Sequence, residues 1–136
     1  MSDKKFRVIV AGSRNFNDYQ LLKAKLDFLL KNKSNIQIVC GTALGADTLG
    51  DYYAKENGYE VAYFPAKWDD LTAPGAVIKT NRKGEKYNAK AGHERNVLMS
   101  LNTDAAVIFW DGQSPGSKDM IEIATRAKLL VRVINY

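Results

Sequence analysis

The sequence is poor in the residues that build covalent and metal-centred frameworks: it has one cysteine, one histidine and three prolines in 136 residues. A single thiol, Cys40, cannot close an internal disulfide. An unpaired cysteine within an apolar run is typical of a reducing compartment, so we expect a cytoplasmic location. One histidine and one cysteine are too few for a zinc site of the usual kind. We therefore expect no metal site and no cofactor.

Long apolar runs are also missing. None reaches the ~18 residues needed to cross a bilayer, and the opening MSDKK has no apolar segment of a signal peptide. We expect no membrane partner. The net charge of +5 favours anionic partners such as nucleotides or nucleic acid. The length, with 46% hydrophobic and 26% charged residues, predicts one domain over residues 1–136.

Short apolar runs alternate with helical patterns along the chain. The predicted strands are FRVIVAG, IQIVCG, YEVAYF, AAVIFW and LLVRVIN, at residues 6–12, 36–41, 59–64, 105–110 and 129–135. Nearly continuous apolar strands separated by helices are typical of a parallel sheet covered on both faces. Right-handed crossovers then predict an α/β, Rossmann-like, doubly wound domain with a mainly parallel sheet of about five strands.

Four helices are predicted between these strands. The first follows a cap at Asn17 or Asp18, and the second starts at Gly45 or Ala46 and ends near Gly58. The third extends from residue 91 to about 102. The fourth is expected to be capped by a serine, Ser117, and to end near residue 128.

Residues 65–90, PAKWDDLTAPGAVIKTNRKGEKYNAK, interrupt this alternation with a basic segment that shows no clear periodicity. A stretch of this length without regular structure is unusual in a compact domain. We interpret it as an irregular insertion. It is either a solvated excursion or a basic flap over an anionic ligand.

Three polar, glycine-rich loops follow predicted strands: GSRNF at 12–16, GTALGAD at 41–47 and DGQSPGS at 111–117. The carboxyl ends of parallel strands meet at one edge of the sheet, where ligands bind in open α/β folds. Glycine lets a ligand approach the backbone, and free amides at helix starts favour phosphate. The coincidence of three such loops predicts a site for a phosphate-bearing ligand.

Several common nucleotide sites are disfavoured. The chain has no G-x-x-x-x-G-K-[ST] loop, which argues against a P-loop NTPase. It has no G-x-G-x-x-G after the first strand and no acidic residue at the end of the second, which disfavours the usual nicotinamide dinucleotide mode. No G-x-S-x-G elbow accompanies the histidine, which argues against a serine hydrolase triad.

Together, AGSRNFNDY, CGTALGADTLGDYYA and AGHERN…DAAVIFWDGQSPGSKDMIEIA resemble the YspA-like (DUF2493) family of the SLOG superfamily, which includes DprA and the LOG proteins. The resemblance covers nearly the whole chain except residues 65–90. It implies a Rossmann-like fold and recognition of nucleotides or nucleotide-derived molecules. For the LOG branch it implies nucleoside-monophosphate phosphoribohydrolase activity.

The resemblance to LOG enzymes is incomplete at the positions that serve catalysis. Their H-x-R-K-x-x-M stretch is matched at His93, Arg95 and Met99, but Asn96 replaces the lysine. Their catalytic glutamate falls on Met120. A methionine can neither stabilise an oxocarbenium-like state nor orient water. Weak candidates for a substitute catalytic role are Arg95, Asp111 and Glu94.

The candidate ligand-binding residues come from the three loops and from the start of the third helix. They are Gly12, Ser13, Arg14, Asn15, Gly41, Thr42, Gly45, Asp47, His93, Arg95, Asp111, Gly112, Gly116 and Ser117.

Some of these candidates have a structural alternative. Arg95 lies near a helix start, and we interpret its guanidinium group as a forked donor to phosphate or ribose oxygens. The alternative is a surface arginine that pairs with Glu94 or Asp104. His93 is either a ligand contact or a helix-start hydrogen-bonding group. Asp47 is either a ribose contact or an ordinary first-turn acid.

Three functions remain open. The leading one is a binding protein or sensor for a nucleotide-derived small molecule. The second is a LOG-like nucleotide N-glycosidase with a displaced acid, and the third is a DprA-like single-stranded nucleic-acid binder, which the modest charge makes less favoured. The resemblance also implies a homodimer or higher homo-oligomer.

Overall fold

The computed structural model describes residues 4–136 and contains seven strands and four helices within that range. The strands are β1 (Phe6–Gly12), β2 (Ile36–Cys40), β3 (Glu60–Tyr63), β4 (Ile78–Thr80), β5 (Lys86–Asn88), β6 (Ala105–Trp110) and β7 (Leu130–Asn135). The helices are α1 (Tyr19–Leu30), α2 (Ala46–Asn57), α3 (Ala91–Ser100) and α4 (Pro115–Arg126).

Five strands form one all-parallel sheet in the order β3-β2-β1-β6-β7, with the four helices flanking it. The predicted doubly wound α/β class and the five-stranded sheet are confirmed. The chain passes from β1 to β2 on one side and returns to β6 on the other, so the order reverses beside β1. This reversal is the switch point at which such sheets bind ligands.

The sheet is buried on both faces because β1 alternates its apolar side chains between them. Val8 and Val10 face a cluster completed by α1 and α2, whereas Ile9 and Ala11 face a cluster that holds Met99 of α3 and residues of α4. This two-sided burial explains the nearly continuous apolar strands in the sequence.

The helix starts agree with the sequence in three cases and differ in one. Asp18 caps α1 by accepting a hydrogen bond from the backbone amide of Leu21, 3.0 Å away. The expectation that Ser117 caps the last helix is wrong, because α4 begins at Pro115 with Ser114 at the cap position. Proline suits the first helical position, since no intrahelical acceptor is available to an amide there.

The insertion at residues 65–90, predicted to be irregular, contains one short element of regular structure. The β4 and β5 strands form an antiparallel hairpin, separate from the main sheet. The buried Asn88 anchors the hairpin. Its side-chain oxygen accepts from the backbone amides of Val77 and Lys90, and its backbone amide donates to the carbonyl of Trp68. The strands are only three residues long and mostly exposed, which gives little periodic signal.

Candidate functional site

The three glycine-rich loops lie at the carboxyl edge of the sheet and open onto one cavity of about 640 Å³, hereafter the main cavity. This volume lies within the range of roughly 300–1,000 Å³ typical of small-molecule sites. The walls come from the loops after β1, β2 and β6, from the first turns of α3 and α4, and from Trp68 and Ala89 of the insertion. The predicted meeting of the three loops at one sheet edge is therefore confirmed.

Asp47, in the first turn of α2, is a buried carboxylate in the wall of this cavity. Only 4% of the residue is exposed, and its Oδ2 accepts a hydrogen bond from the amide of Ala43 at 3.1 Å. Burial raises the pKa of Asp47 to about 6, although the Ala43 amide and the guanidinium groups of Arg95 and Arg14 oppose the rise. Asp47 is therefore buried at the cavity, unlike an ordinary exposed first-turn acid.

Arg95 connects α3 to the ends of two strands. Its Nη1 donates to the carbonyl oxygens of Gly41, after β2, and of Phe64, after β3, and its Nε donates to Asn96 Oδ1 at 3.0 Å. Burial lowers the pKa of this guanidinium, while the nearby Asp47 carboxylate raises it. The alternative of pairing with Glu94 or Asp104 is wrong. Much of the hydrogen-bonding capacity of Arg95 serves the backbone.

A carboxylate that the sequence analysis did not select, Asp119 of α4, also lines the main cavity. One oxygen is 2.8 Å from His93 Nδ1, and the other accepts from Asn96 Nδ2 at 3.0 Å. Since Arg95 donates a hydrogen bond to Asn96 and another to Gly41, one hydrogen-bond network joins the starts of α3 and α4 to the end of β2. Asp119 directly precedes Met120, the position aligned with the LOG glutamate. Met120 is 1% exposed and packs in the core.

The loop after β6 is held by Asp111, whose Oδ1 accepts from the amides of Gln113 at 2.9 Å and Ser114 at 2.8 Å. These amides lower the pKa of the Asp111 carboxyl. The indole of Trp110 donates to the Ser114 carbonyl at 3.0 Å. Asp111 therefore organises the turn that leads into α4, which leaves it a poor candidate for the missing acid.

The amino end of α4 faces the main cavity without a side-chain cap and without an acid in its first turn. Pro115 has no amide hydrogen. The amides of Gly116 and Ser117 are the next two, and amides in a first helical turn have no intrahelical partner. This end of α4 therefore presents backbone amides to the cavity.

The loop after β1 supplies a free cation. The amide of Ser13 donates to the Phe109 carbonyl at 2.9 Å, and Asn15 accepts from the hydroxyl of Tyr136. Arg14, between them, is exposed and lines the main cavity. Within residues 4–136 its guanidinium has no hydrogen-bond or ion-pair partner. Arg14 is thus better placed than Arg95 to take an anionic ligand.

The loop between β2 and α2 holds one residue in a strained backbone conformation. Thr42 has a φ of 63°, in the left-handed region that β-branched residues rarely adopt. Its amide donates to the sulfur of Cys40 at 3.4 Å, and the Cys40 thiol donates to the backbone oxygen of Asp47 at 3.6 Å. Burial raises the pKa of Cys40 to about 11. As predicted, Cys40 is a packed, buried side chain.

Most of the predicted site residues come together. Ten line the main cavity: Gly12, Ser13, Arg14, Asn15, Asp47, His93, Arg95, Asp111, Gly116 and Ser117.

The remaining predicted residues lie outside its lining. Gly41 and Thr42 border a smaller cavity next to it. Gly45 is needed for packing, since a Cβ there would collide with the Ser13 carbonyl. Gly112 has a φ of 83° and sits in a turn, and Glu94 is exposed on α3.

The part of the chain that the structure describes contains no cluster of metal-ligating side chains. Among residues 4–136, no helix is long and apolar enough to cross a membrane.

Comparison with known proteins agrees with this architecture. Residues 6–70, which include β1 to β3, match the model of the YAcAr family, described as the YspA, cpYpsA-related SLOG family. The match covers this part of the chain and confirms the resemblance to the SLOG family seen in the sequence. SLOG proteins are associated with nucleotide-related ligands. No curated protein matches the chain significantly.

Two solved structures share the fold. DNA processing protein A (DprA) from Streptococcus pneumoniae superimposes with a TM-score of 0.69 at 20% identity, over 96% of this chain and 50% of that one. DprA from Helicobacter pylori, whose structure concerns a single-stranded DNA binding mode, gives a TM-score of 0.63 at 18% identity, over 94% and 64%. The chain thus spans only half to two thirds of these proteins.

Proposed function

We propose that the chain binds a nucleotide or nucleotide-derived small molecule in the main cavity. The observation that carries the proposal is the joint presence of the uncapped amino end of α4 and the unpartnered guanidinium of Arg14 in one cavity. Backbone amides at a helix start and an arginine fork are complementary to phosphate oxygens. The association of the SLOG family with nucleotide-related ligands supports the same assignment.

The other walls suit the remainder of a nucleotide. Asp47 offers a carboxylate that can accept hydrogen bonds from ribose hydroxyls. Trp68, which lies against Gly92 and near Tyr87, offers an aromatic surface of the kind on which a base stacks. The insertion thereby supplies part of the site, which favours its interpretation as a basic flap over the ligand.

A thermal-shift series with AMP, GMP, CMP and UMP tests the proposal. A ligand present at a hundred times its dissociation constant adds about 2.7 kcal/mol to the free energy of unfolding, a Tm rise on the order of 10 °C. Arg14→Ala should reduce the rise. Arg126→Ala, which removes the same charge from the exposed carboxyl end of α4, should not. Equal rises in Tm for the two variants would contradict a role for Arg14 and the main cavity in binding.

A second candidate function is favoured by Asp119. A hydrolase with a displaced acid needs a carboxylate in the cavity, and Asp119 is held there by His93 and Asn96. Its oxygen would take a proton from water as water bonds to C1′ of a nucleotide. The C1′–N bond would break, and the base would leave with a proton.

A chromatographic assay of base release from nucleoside monophosphates separates the two candidates. We expect the wild type to release no base above background. Steady release that is lost in Asp119→Asn but retained in the exposed-surface control Asp69→Asn would establish the hydrolase in place of a simple binding protein. Self-association, which the resemblance implies, stays a prediction, and light scattering of the purified chain tests it.

A further inference from the structure

The carboxylate of Asp47 is a buried charge without a contacting cation. The residue is almost fully buried in the wall of the main cavity, where its Oδ2 accepts a hydrogen bond from the amide of Ala43. Within residues 4–136 it forms no ion pair. A carboxylate that is withdrawn from water and lacks an ion-pair partner is only weakly favoured over the neutral acid, so small changes around it decide its charge.

Two guanidinium groups face Asp47 from neighbouring elements and help to keep it ionised. Arg95 reaches it from α3, and its Nη1 and the Oδ2 of Asp47 each lie 2.7 Å from the position of a Cβ added to Gly41. Arg14 approaches from the loop after β1 and lines the same cavity. Both arginines oppose the rise in the pKa of Asp47 that burial causes. The charge of Asp47 therefore depends on groups that also attract an anionic ligand.

Within the described chain, the other titratable groups near Asp47 are neutral or already have a partner. Cys40, at the end of β2, is a neutral thiol because burial raises its pKa to about 11, and it donates to the backbone oxygen of Asp47. Asp51, one turn later on α2, is paired with Lys55 at 3.2 Å. Three further titratable side chains line the cavity, each with its own hydrogen-bond partner: His93, Asp119 and Asp111.

A phosphate bound at Arg14 shifts this balance in one direction. It adds negative charge beside the guanidinium, which weakens the positive field at Asp47, and the ligand also displaces water from the cavity. Both effects disfavour the ionised carboxylate. Since burial already raises the pKa of Asp47 to about 6, a further rise places its titration in the neutral range. A bond from a ribose hydroxyl is compatible with this change, because the neutral acid keeps a carbonyl oxygen that accepts it.

We propose that Asp47 takes up a proton when a nucleotide binds, so that the main cavity holds the phosphate-bearing ligand and a proton together. The proton moves from the solvent to a carboxylate oxygen of Asp47, and the resulting O–H can donate to a ligand oxygen. This inference rests on the proposed function and adds the regulation of the same site. For a ligand of fixed charge, a fall in pH across the neutral range then raises the occupancy of the cavity.

A ¹³C NMR titration of the Asp47 side-chain carboxyl in the wild-type protein, with and without saturating AMP, tests the inference directly. The midpoint of the Asp47 titration should move upward by at least about one pH unit when AMP is bound. Asp27, on α1 and outside the lining of the cavity, is the internal control and should titrate at the same pH in both samples. A midpoint that stays in place or moves downward overturns the proposal.

Calorimetric titration of AMP into the wild type and Asp47→Asn gives the matching test on affinity. The phosphate of AMP itself titrates near pH 6, and it does so with both proteins, so the ratio of their dissociation constants isolates Asp47. A group whose pKa rises on binding favours binding below its free pKa. The affinity of the wild type relative to the variant should therefore fall by about tenfold from pH 5 to pH 8. Asp69→Asn, at an exposed residue, should follow the wild type.

The outcomes separate the inference from the proposed function. If AMP binds but the affinity ratio is the same at both pH values, proton uptake by Asp47 is wrong and the nucleotide site stands. If Asp47→Asn does not fold, the NMR titration of the wild type decides. If AMP neither releases heat nor shifts any resonance of the wild type, the proposed function and the inference both fail.

Discussion

The side chain of Arg95 donates to the carbonyl oxygen of Gly41, and a Cβ added to Gly41 would lie 2.7 Å from Arg95 Nη1 and 2.7 Å from Asp47 Oδ2. The glycine is thus required because an arginine and a carboxylate close over its backbone. This contact connects the end of β2 to α3. The same contact therefore contributes both to the stability of the domain and to the shape of its site.

Replacing Gly41 with alanine should therefore destabilise the domain. Asp47 is buried and Arg95 is held by backbone carbonyls, so neither can move away freely, and overpacking of this kind costs about 1–3 kcal/mol. Denaturant unfolding measures the loss. Gly116→Ala is the control, because nothing lies within 4 Å of a Cβ there and alanine favours a helix by up to about 1 kcal/mol over glycine. Equal stability of the two variants would contradict the close packing at Gly41.

Replacing Arg95 or Arg14 with alanine should weaken nucleotide binding in both cases but lower the unfolding free energy only for Arg95. Arg95→Ala removes hydrogen bonds from a charged donor to the Gly41 and Phe64 carbonyls, which should cost ~1.5–3 kcal/mol of unfolding free energy. Arg14→Ala removes no hydrogen bond within residues 4–136, so its unfolding free energy should match that of the wild type. Both should weaken nucleotide binding by at least about tenfold.

Calorimetric titration and denaturant unfolding of both variants give the comparison. If Arg95→Ala were as stable as the wild type, its bonds to the strand ends would be energetically unimportant. If Arg14→Ala bound nucleotide normally, the anion would have to be held elsewhere in the cavity.

The buried carboxyl of Asp47 should make stability depend on pH. Its pKa rises from 3.8 to about 6 on folding, so between these values the folded chain binds a proton that the unfolded chain has released. Stability from this group is therefore highest at low pH and is lost as pH rises through 6. From pH 5 to pH 7.5 the contribution should fall by about 1.4 kcal/mol.

Asp47→Asn isolates that contribution from other titrating groups. The difference in unfolding free energy between wild type and variant, measured by urea denaturation at pH 5 and pH 7.5, should change by about the same amount in favour of the variant at the higher pH. A difference that is constant across this range would show that Asp47 titrates normally. Asp69→Asn, at an exposed residue, serves as the reference substitution.

The β4–β5 hairpin is the natural place to test nucleic-acid binding, because Lys79, Arg82, Lys83 and Lys86 lie exposed on it. Phosphate contacts release counterions, so binding that uses them weakens steeply with salt. We expect only weak binding of single-stranded DNA at physiological salt, measured by fluorescence anisotropy. Tight, salt-sensitive binding that disappears when all four residues are neutralised would make the DprA-like function the better one.

The sheet and the position of the site were predictable from the sequence because their signals are local. Each parallel strand is a short apolar run, and the loops after β1, β2 and β6 contain the glycines that let backbone segments approach closely. Gly45, for example, has a φ of 80° and lies directly against the Ser13 backbone. Parallel strands then force these loops to one edge.

The contacts that Asp119 and Arg95 make were not predictable in the same way. Asp119 meets His93 across 26 positions in sequence, and that meeting depends on how α3 packs on α4. The role of Arg95 in holding the Gly41 and Phe64 carbonyls likewise depends on tertiary packing. One missed feature did have a local signal: Pro115 favours a first helical position and places the start of α4 two residues before Ser117.

The buried position of Cys40 allows its chemical labelling to report on movements of the neighbouring loop. This single thiol is buried behind the β2–α2 loop, and alkylating reagents attack only an exposed thiolate. The rate at which such a reagent labels the protein therefore measures how often the Gly41–Gly45 backbone lifts away from the sheet. No other cysteine competes for the reagent. A ligand that seats against that loop should slow the labelling, which gives a screen for its identity that needs no engineered probe.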